Sequence, residues 1–235
     1  MQSWALATEV HQIAAGARRF HNPLADGPPA PFPAYVTEPS GSAVEAPAPF
    51  VVDTGTTDGE LDPNDPVAKL TGRPATSREA VPEFAPYGDR ALVRVLAARG
   101  TSRYGLGEVC GSLLHDNRKV VGWTRDAFAY DDRATNLYQS HPWVLCVRAD
   151  GSAFGVIVET TWRFTAHLHD HLVVEVEGPP PAVTVIEGAT PAEVVSTLTE
   201  LTGRIELPPR WALGYHQSKW NYAPADDVLS VAREF

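Results

Sequence analysis

From Arg90 to Gly188 the apolar residues of this chain come in short runs, and a turn closes each one. That pattern constrains the fold more than any other feature, because runs of about four to eight residues suit strands and are short for helices. Leu92, Val93, Val95 and Leu96 form one strand core, and Lys119 to Tyr130 reads as a second. Trp143-Val-Leu-Cys-Val-Arg and Phe154-Gly-Val-Ile-Val-Glu flank Asp150-Gly151. Asp-Gly between two such runs is a strong hairpin signal, since a two-residue type I′ turn needs positive φ at both positions. Trp162, Phe164, Ala166 and Leu168 alternate along the next strand, and Leu172-Val-Val-Glu-Val-Glu pairs with it across a short His-Asp-His turn. Many short strands with turns at this spacing predict a mainly β fold, an antiparallel sandwich. With 43% hydrophobic residues and six Trp in 235 residues, there is material for a sizeable core.

The two ends of the chain read differently from this middle. Thirteen of the 21 prolines lie in the first 86 residues. Proline fixes φ and removes a backbone donor, so this segment supplies neither long helices nor central strands. Phe32, Tyr35, Val36, Phe50, Val51 and Val52 interrupt it, which predicts short edge strands and loops laid over a core; a flexible proline-rich leader is the alternative. Past Gly188 the pattern turns helical. Thr190-Pro-Ala-Glu193 is a capping box with proline at the first helical position, Val194, Val195, Leu198 and Leu201 make the apolar stripe, and Gly203 stands where a C-terminal cap belongs. After Pro208-Pro209, Trp211-Ala-Leu-Gly-Tyr-His reads as a buried strand, and Pro224 to Phe235 as a helix with Asp226 and Asp227 in its first turn. A strand followed by a helix is one β/α unit, whose strand needs parallel neighbours on both edges. The helix reaches Phe235 in mid-stripe without a cap, so the expectation is a chain cut inside a larger α/β domain. The divisions that follow are residues 1–86, 87–203 and 204–235.

Charge and composition narrow the partners. The formal net charge is −10, and the 19 basic residues are scattered. A face that tracks phosphates is therefore not expected, nor is nucleic acid as a partner. No apolar stretch approaches the roughly 20 residues of a membrane-spanning helix, and the first dozen residues do not read as a secretory signal. Cys110 and Cys146 fit neither a disulfide framework nor a zinc or redox pair. Free buried thiols in a reducing, cytoplasmic setting are the expectation.

Several motifs carry competing readings. Gly105-Leu-Gly107 and Gly111 follow a strand with a spacing near that of dinucleotide-binding loops, but the helix and second parallel strand such a loop requires are absent from the pattern. Glycines that let two strands pack closely at a bend are the preferred role. His167, His169 and His171 alternate and would face one way on a strand, as zinc ligands do, yet they straddle the presumed turn, which favours a solvated hairpin tip. No serine elbow and no cysteine-histidine pair is present. Asp116, Asp126, Asp131 and Asp132 crowd the region of Trp123, Phe128 and Tyr130. Carboxylates beside aromatic rings suit a sugar, whose hydroxyls donate to the oxygens while its apolar face lies on the rings. Solvated acidic turns on an acidic protein give the same spacing.

A set of strings is more specific. Arg103-Tyr-Gly-Leu-Gly-Glu108, Val121-Gly-Trp-Thr-Arg-Asp126, Leu137-Tyr-Gln-Ser-His-Pro142 and Asp150-Gly-Ser-Ala-Phe-Gly-Val156 resemble the N-terminal half of glycoside hydrolase family 31, the α-glucosidase and α-xylosidase family. Pro191-Ala-Glu-Val-Val195, Leu201-Thr-Gly203 and the long string Leu207-Pro-Pro-Arg-Trp-Ala-Leu-Gly-Tyr-His-Gln-Ser-Lys-Trp-Asn-Tyr222 continue the resemblance in the family's order. It runs from about Tyr87 to the end and leaves residues 1–86 unmatched.

What the resemblance implies is a galactose-mutarotase-like β-sandwich followed by the first β/α unit of a truncated (β/α)8 barrel. It implies retaining hydrolysis of α-glycosidic bonds, in which one aspartate attacks the anomeric carbon and a second acts as acid and then base. Both lie on later barrel strands in the family, so no catalytic residue is expected in this chain. No metal and no organic cofactor is implied. Two substrate contacts carry over by position: Asp126, accepting from hydroxyls of the sugar at the cleaved end, and Trp220, walling the same pocket after the first barrel strand. Asp131 is a further candidate from the loop of Asp126. The string here reads Trp-Thr-Arg-Asp where the family usually has Trp-Asn-x-Asp. The expected partner is an α-linked oligosaccharide or glucoside; a stand-alone carbohydrate-binding sandwich is the alternative.

Overall fold

The structure, a computed structural model, describes residues 4–7, 9–26, 44–45, 79–127, 129–217 and 224–234. Phe32, Tyr35, Val36, Phe50 to Val52, Phe128 and Trp220 lie outside the described residues. The chain divides into two compact units, residues 1–203 and 204–235.

The first unit is built from two antiparallel sheets. One has six strands in the order β1 (Ala5–Leu6), β5 (Pro82–Tyr87), β6 (Arg90–Val95), β12 (Leu172–Val176), β11 (Phe164–Leu168), β8 (Arg118–Gly122). The other has seven, in the order β4 (Val44–Glu45), β2 (Val10–Ala14), β3 (Ala17–Phe20), β13 (Val183–Gly188), β10 (Ala153–Val158), β9 (Ser140–Val147), β7 (Ser102–Gly107). Alternation sorts their side chains. Val93, Val95, Val120, Val144, Cys146, Phe154, Val156, Phe164, Ala166, Leu172, Val174 and Val185 point between the sheets and form one buried core. The chain is mainly β, as its short runs predict.

Both outer faces are also covered. Helix α1 (Pro191–Thr202) lays Val194 and Leu201 over Ala17, Ala153 and Ile186 of the seven-stranded sheet. Its start is capped at both levels. Thr190 Oγ1 accepts from the Glu193 N–H at 3.3 Å, and the Glu193 carboxylate accepts from the Ala189 N–H at 2.9 Å. Val195, assigned to the apolar stripe, is instead 42% exposed, because it points away from the sheet that buries its neighbour. On the other outer face Arg94 donates to Glu83 at 2.8 Å, with the Trp4 ring 4.0 Å from the guanidinium carbon. That buried ion pair is thus roofed by the first described residue.

At three places the chain departs from its local sequence pattern. The strand over Lys119 to Tyr130 ends at Gly122, after which the chain runs exposed through Asp126. The β9–β10 hairpin forms, but its turn is longer than two residues. Arg148 N donates to Ser152 O at 2.8 Å and Gly151 N to Arg148 O at 3.0 Å. That closes three residues, and only Gly151, at φ +87°, takes the left-handed conformation. Trp162, read as part of β11, lies before the strand and stays half exposed.

The second unit departs most from the sequence pattern. Arg210–Leu213 is a single 3₁₀ turn, not a strand, with Trp211 77% exposed. No strand among the described residues pairs with this segment, and an unpaired strand leaves both rows of backbone groups without partners. The chain satisfies some of them locally, Ala212 N donating to Pro209 O at 2.9 Å and Gly214 N to Trp211 O at 3.0 Å. Helix α2 (Ala225–Glu234) forms as the pattern predicts, with Asp226 and Asp227 in its first turn, and buries none of its described residues.

Candidate functional site

Asp126, Asp131 and Asp132 lie with Trp123 and Tyr130 on the connection between β8 and β9, and a bulge in β7 prepares the place where that connection is held. Gly105, Leu106 and Gly107 have φ of +114°, +65° and +94°. A β-carbon on Gly105 would sit 2.5 Å from Trp143 O, and one on Gly107 2.5 Å from Gln139 O, so no other residue fits at either position. Leu106 bears the strained conformation and compensates by burying its side chain in the core. The register of β7 against β9 shifts here, which bends the edge strand. His115 braces the bend: its ring nitrogen lies 3.1 Å from Gly105 O and its N–H donates to Arg103 O at 2.9 Å. Burial holds this imidazole below its ordinary pKa, against the favourable bond to Gly105. The glycines therefore serve close packing at a bend, as preferred over a nucleotide loop.

Beyond the bulge, Glu108 grips the connection. Its N–H donates to Gln139 O at 2.9 Å and its carboxylate accepts from Tyr138 N at 3.1 Å. The connection then ties residues 123–127 to residues 136–138. Asn136 Nδ2 donates to Trp123 O at 2.6 Å, Arg125 N to Leu137 O at 2.9 Å, and the Tyr138 hydroxyl to Ala127 O at 2.8 Å. Ala127 and Leu137 are buried. Asp126, between two held neighbours, is exposed and makes no hydrogen bond or ion pair among the described residues. Trp123, Tyr130 and Tyr138 are about half exposed on the same connection.

The other acids are occupied or apart. Asp131 accepts from Arg133 at 2.7 Å and from its N–H at 3.0 Å, and the guanidinium keeps this carboxyl below the usual carboxylate range. Asp116 lies 3.3 Å from the buried Arg103 guanidinium. Asp132, like Asp126, is exposed without a partner among the described residues. Asp126 and Asp132 thus differ from the paired Asp131 in having carboxylates without a partner among the described residues. A single exposed carboxylate can accept from hydroxyls; it does not by itself supply the two carboxyl groups that glycoside hydrolysis requires. Trp220 lies outside the described residues.

The histidine string is not a solvated tip. His167 is buried on β11, and His169 and His171 are half buried at the β11–β12 turn. The turn is latched from the opposite sheet, Arg103 donating to Asp170 O at 2.7 Å. Burial, with Arg94 and Arg103 nearby, pushes the His171 imidazole down. Among the described residues no group of three or more His, Cys, Asp or Glu is placed to hold a metal. Cys110 and Cys146 are free, and burial raises the Cys146 thiol to about 12, which makes it a packing group and not a nucleophile. No described helix is long and apolar enough to cross a membrane. Glu108, Asn136 and Tyr138 were not singled out from sequence, although the first and last lie in the strings that carry the resemblance. Their roles depend on a fold-back of residues 136–138 onto 123–127 that no periodicity announces.

Comparison with known proteins matches this description. A family model described as the glycosyl hydrolase 31 N-terminal galactose mutarotase-like domain matches residues 39–166, and the glycosyl hydrolases family 31 TIM-barrel domain matches residues 205–235. An α-glucosidase 2 of Bacillus thermoamyloliquefaciens is 38% identical over 136 residues, which is 56% of this chain and 17% of the relative. The lysosomal α-glucosidase of Mus musculus is 29% identical over 69% of this chain and 17% of its own length. The chain therefore spans about a sixth of these relatives. Among solved structures, a family 31 α-glucosidase from Bacteroides thetaiotaomicron is 44% identical, with a TM-score of 0.52 over 59% of this chain and 24% of its own. A Flavobacterium johnsoniae family 31 dextranase, solved with isomaltotriose, shares the fold at a TM-score of 0.58 and 22% identity over 65% of this chain and 19% of its own. The chain belongs to glycosyl hydrolase family 31, and carries the N-terminal galactose mutarotase-like sandwich of that family together with the start of its barrel domain.

Proposed function

We propose that this chain is the N-terminal portion of a retaining α-glycosidase, an α-glucosidase, that hydrolyses terminal α-linked glucosyl residues. In this reading residues 1–203 form the sandwich, the first 86 being its proline-rich part, and residues 204–235 open the catalytic barrel. The nucleophile and the acid/base carboxyl belong to later barrel strands, outside this chain. Asp126 accepts from hydroxyls of the sugar at the cleaved end, and Trp220 is the second substrate-binding residue. The observation that carries the reading is the exposed carboxylate of Asp126, unpartnered among the described residues, on a connection whose backbone is tied on both sides of it. The α-glucosidases among its relatives support glucose as the sugar. The two free cysteines suit a cytoplasmic location.

The test uses the full product of the gene that encodes this chain, with an aryl α-glucoside as substrate. Hydrolysis with release of the α-anomer is expected, and Asp126→Ala is expected to lower kcat/KM at least about tenfold, roughly the loss of one charge-assisted hydrogen bond in the transition state. The 235-residue chain alone is expected to show no hydrolysis. Release of the β-anomer would overturn the retaining mechanism. Near wild-type activity in Asp126→Ala would overturn the pocket assignment. Binding of α-glucosides by a gene product without hydrolytic activity would instead mark a carbohydrate-binding module.

A further inference from the structure

We propose that Tyr138 is a positioning residue for Asp126, its hydroxyl holding the carbonyl of the next residue, Ala127, and so keeping the stretch of backbone that carries the acid in place. The proposal rests on the reading that Asp126 lines the sugar pocket, and deepens it by naming what holds that acid in place.

Trp123 to Asp126 are exposed, so side-chain packing does little to fix them. Their order comes from backbone bonds to residues 136–138. On the N-terminal side of Asp126, Arg125 N donates to Leu137 O at 2.9 Å, which fixes the peptide between Thr124 and Arg125. On its C-terminal side, the Tyr138 hydroxyl donates to Ala127 O at 2.8 Å. Among the described residues that bond is what anchors the Ala127 carbonyl. Ala129, at φ +53°, then turns the chain away in a conformation a non-glycine residue rarely adopts. Asp126 has no side-chain partner among the described residues, so what holds it is the backbone tied at Arg125 on one side and at Ala127 on the other.

Tyr138 is itself fixed from the opposite direction. Its N–H donates to the Glu108 carboxylate at 3.1 Å, and the Glu108 N–H donates to Gln139 O at 2.9 Å. Glu108 follows directly on the Gly105-Leu106-Gly107 bulge, whose position is enforced by the close approach of the β9 backbone. A connected path of bonds therefore runs from a rigid strand edge, through Glu108 and Tyr138, to the residue beside Asp126. A tyrosine whose ring is about half exposed contributes little core burial, and its hydroxyl spans the gap from one limb of the connection to the other. Precise placement of a hydroxyl-accepting group matters to catalysis, since errors of about an ångström are costly.

The experiment is a double-mutant cycle in the full gene product, with Tyr138→Phe, Asp126→Ala and the pair, read as kcat and KM on an aryl α-glucoside. Phenylalanine keeps the ring and removes only the hydroxyl. Tyr138→Phe is expected to lower kcat/KM about three- to tenfold, in the same parameter, kcat or KM, that Asp126→Ala moves, with the thermal midpoint unchanged. In the Asp126→Ala background the same change is expected to have less than about twofold effect, because the group it positions is gone. Tyr138→Phe without effect in the native background would overturn the proposal. So would a loss that persists undiminished in the Asp126→Ala background, or one accompanied by an equal fall in stability. If Asp126→Ala itself is near wild type, the pocket reading fails and the proposal falls with it.

Discussion

Trp143-Val-Leu-Cys-Val147 and Trp211-Ala-Leu-Gly-Tyr215 have similar apolar patterns, and the structure treats them in opposite ways. The first is strand β9, paired to β10 on one side and β7 on the other. Val144 and Cys146 enter the core between the sheets, while Trp143, Leu145 and Val147 pack on the outer face against the cluster of Ala17, Ala153, Ile186, Val194 and Leu201. The second includes a 3₁₀ turn, with Trp211, Leu213 and Tyr215 each more than 70% exposed. Composition does not separate them; neighbours do. A strand exists where other strands accept its backbone bonds and another layer covers its faces. The sandwich supplies both within residues 1–203. The family's barrel supplies parallel neighbours from later in its sequence, so a barrel's opening segment depends on them to form a strand.

The largest effect expected from this contrast is on the sandwich core. Phe154→Ala removes a fully buried ring between the sheets and is expected to cost about 3–5 kcal/mol in urea unfolding of the 235-residue chain. Loss of the Thr190 cap is smaller. Thr190→Ala is expected to cost about 1 kcal/mol in the same measurement, through α1 and the outer face it covers.

Acidification gives a graded test of the same region. Burial holds the His115 and His171 imidazoles below their ordinary value of 6.5, with Arg118 near the first and Arg94 and Arg103 near the second adding to the effect. Asp116 and Asp170 oppose it in turn. The unfolded chain therefore takes up protons at a higher pH than the folded one. The stability these groups contribute is complete above their unfolded value and is lost as pH falls through the folded values. The urea midpoint is expected to drop between about pH 7.5 and 5, and His115→Gln with His171→Gln to flatten that drop. The smallest effect belongs to the other region. Trp211→Ala is expected to change the stability of the 235-residue chain by less than about 0.5 kcal/mol. A cost comparable to that of Phe154→Ala would break the comparison, since it would mean the segment is packed.

Much of the sandwich was readable because alternation and turn residues are local signals. The pairing of Phe164–Leu168 with Leu172–Val176, the β9–β10 hairpin and the Thr190 cap all follow from residues close in sequence. What could not be read depends on distant partners. Nothing near Val195 says which side of α1 meets the sheet, and nothing in Trp211 to His216 says that the described strands leave it unpaired. The site divides along the same line. Asp126 was reached through the string that carries it, whereas the bonds from Glu108 and Tyr138 became visible only once residues 136–138 lay against residues 123–127. The histidine string illustrates the reverse error: its polarity suggested solvent, but β11 within the sheet buries His167, and the turn latched from Arg103 leaves His169 and His171 half buried.

Residue-resolved amide hydrogen exchange of the 235-residue chain tests the account most directly, since it reports which backbone donors have partners and how firmly. Amides of β9, β10 and β13 are expected to show the protection of global unfolding, and the Arg125 and Tyr138 amides an intermediate protection that marks a tied connection. Those of residues 205–217 are expected to exchange nearly as in an unfolded chain, Ala212 and Gly214 slightly slower. Protection across Trp211 to Tyr215 equal to that of β10, or none at Arg125 and Tyr138, would contradict it.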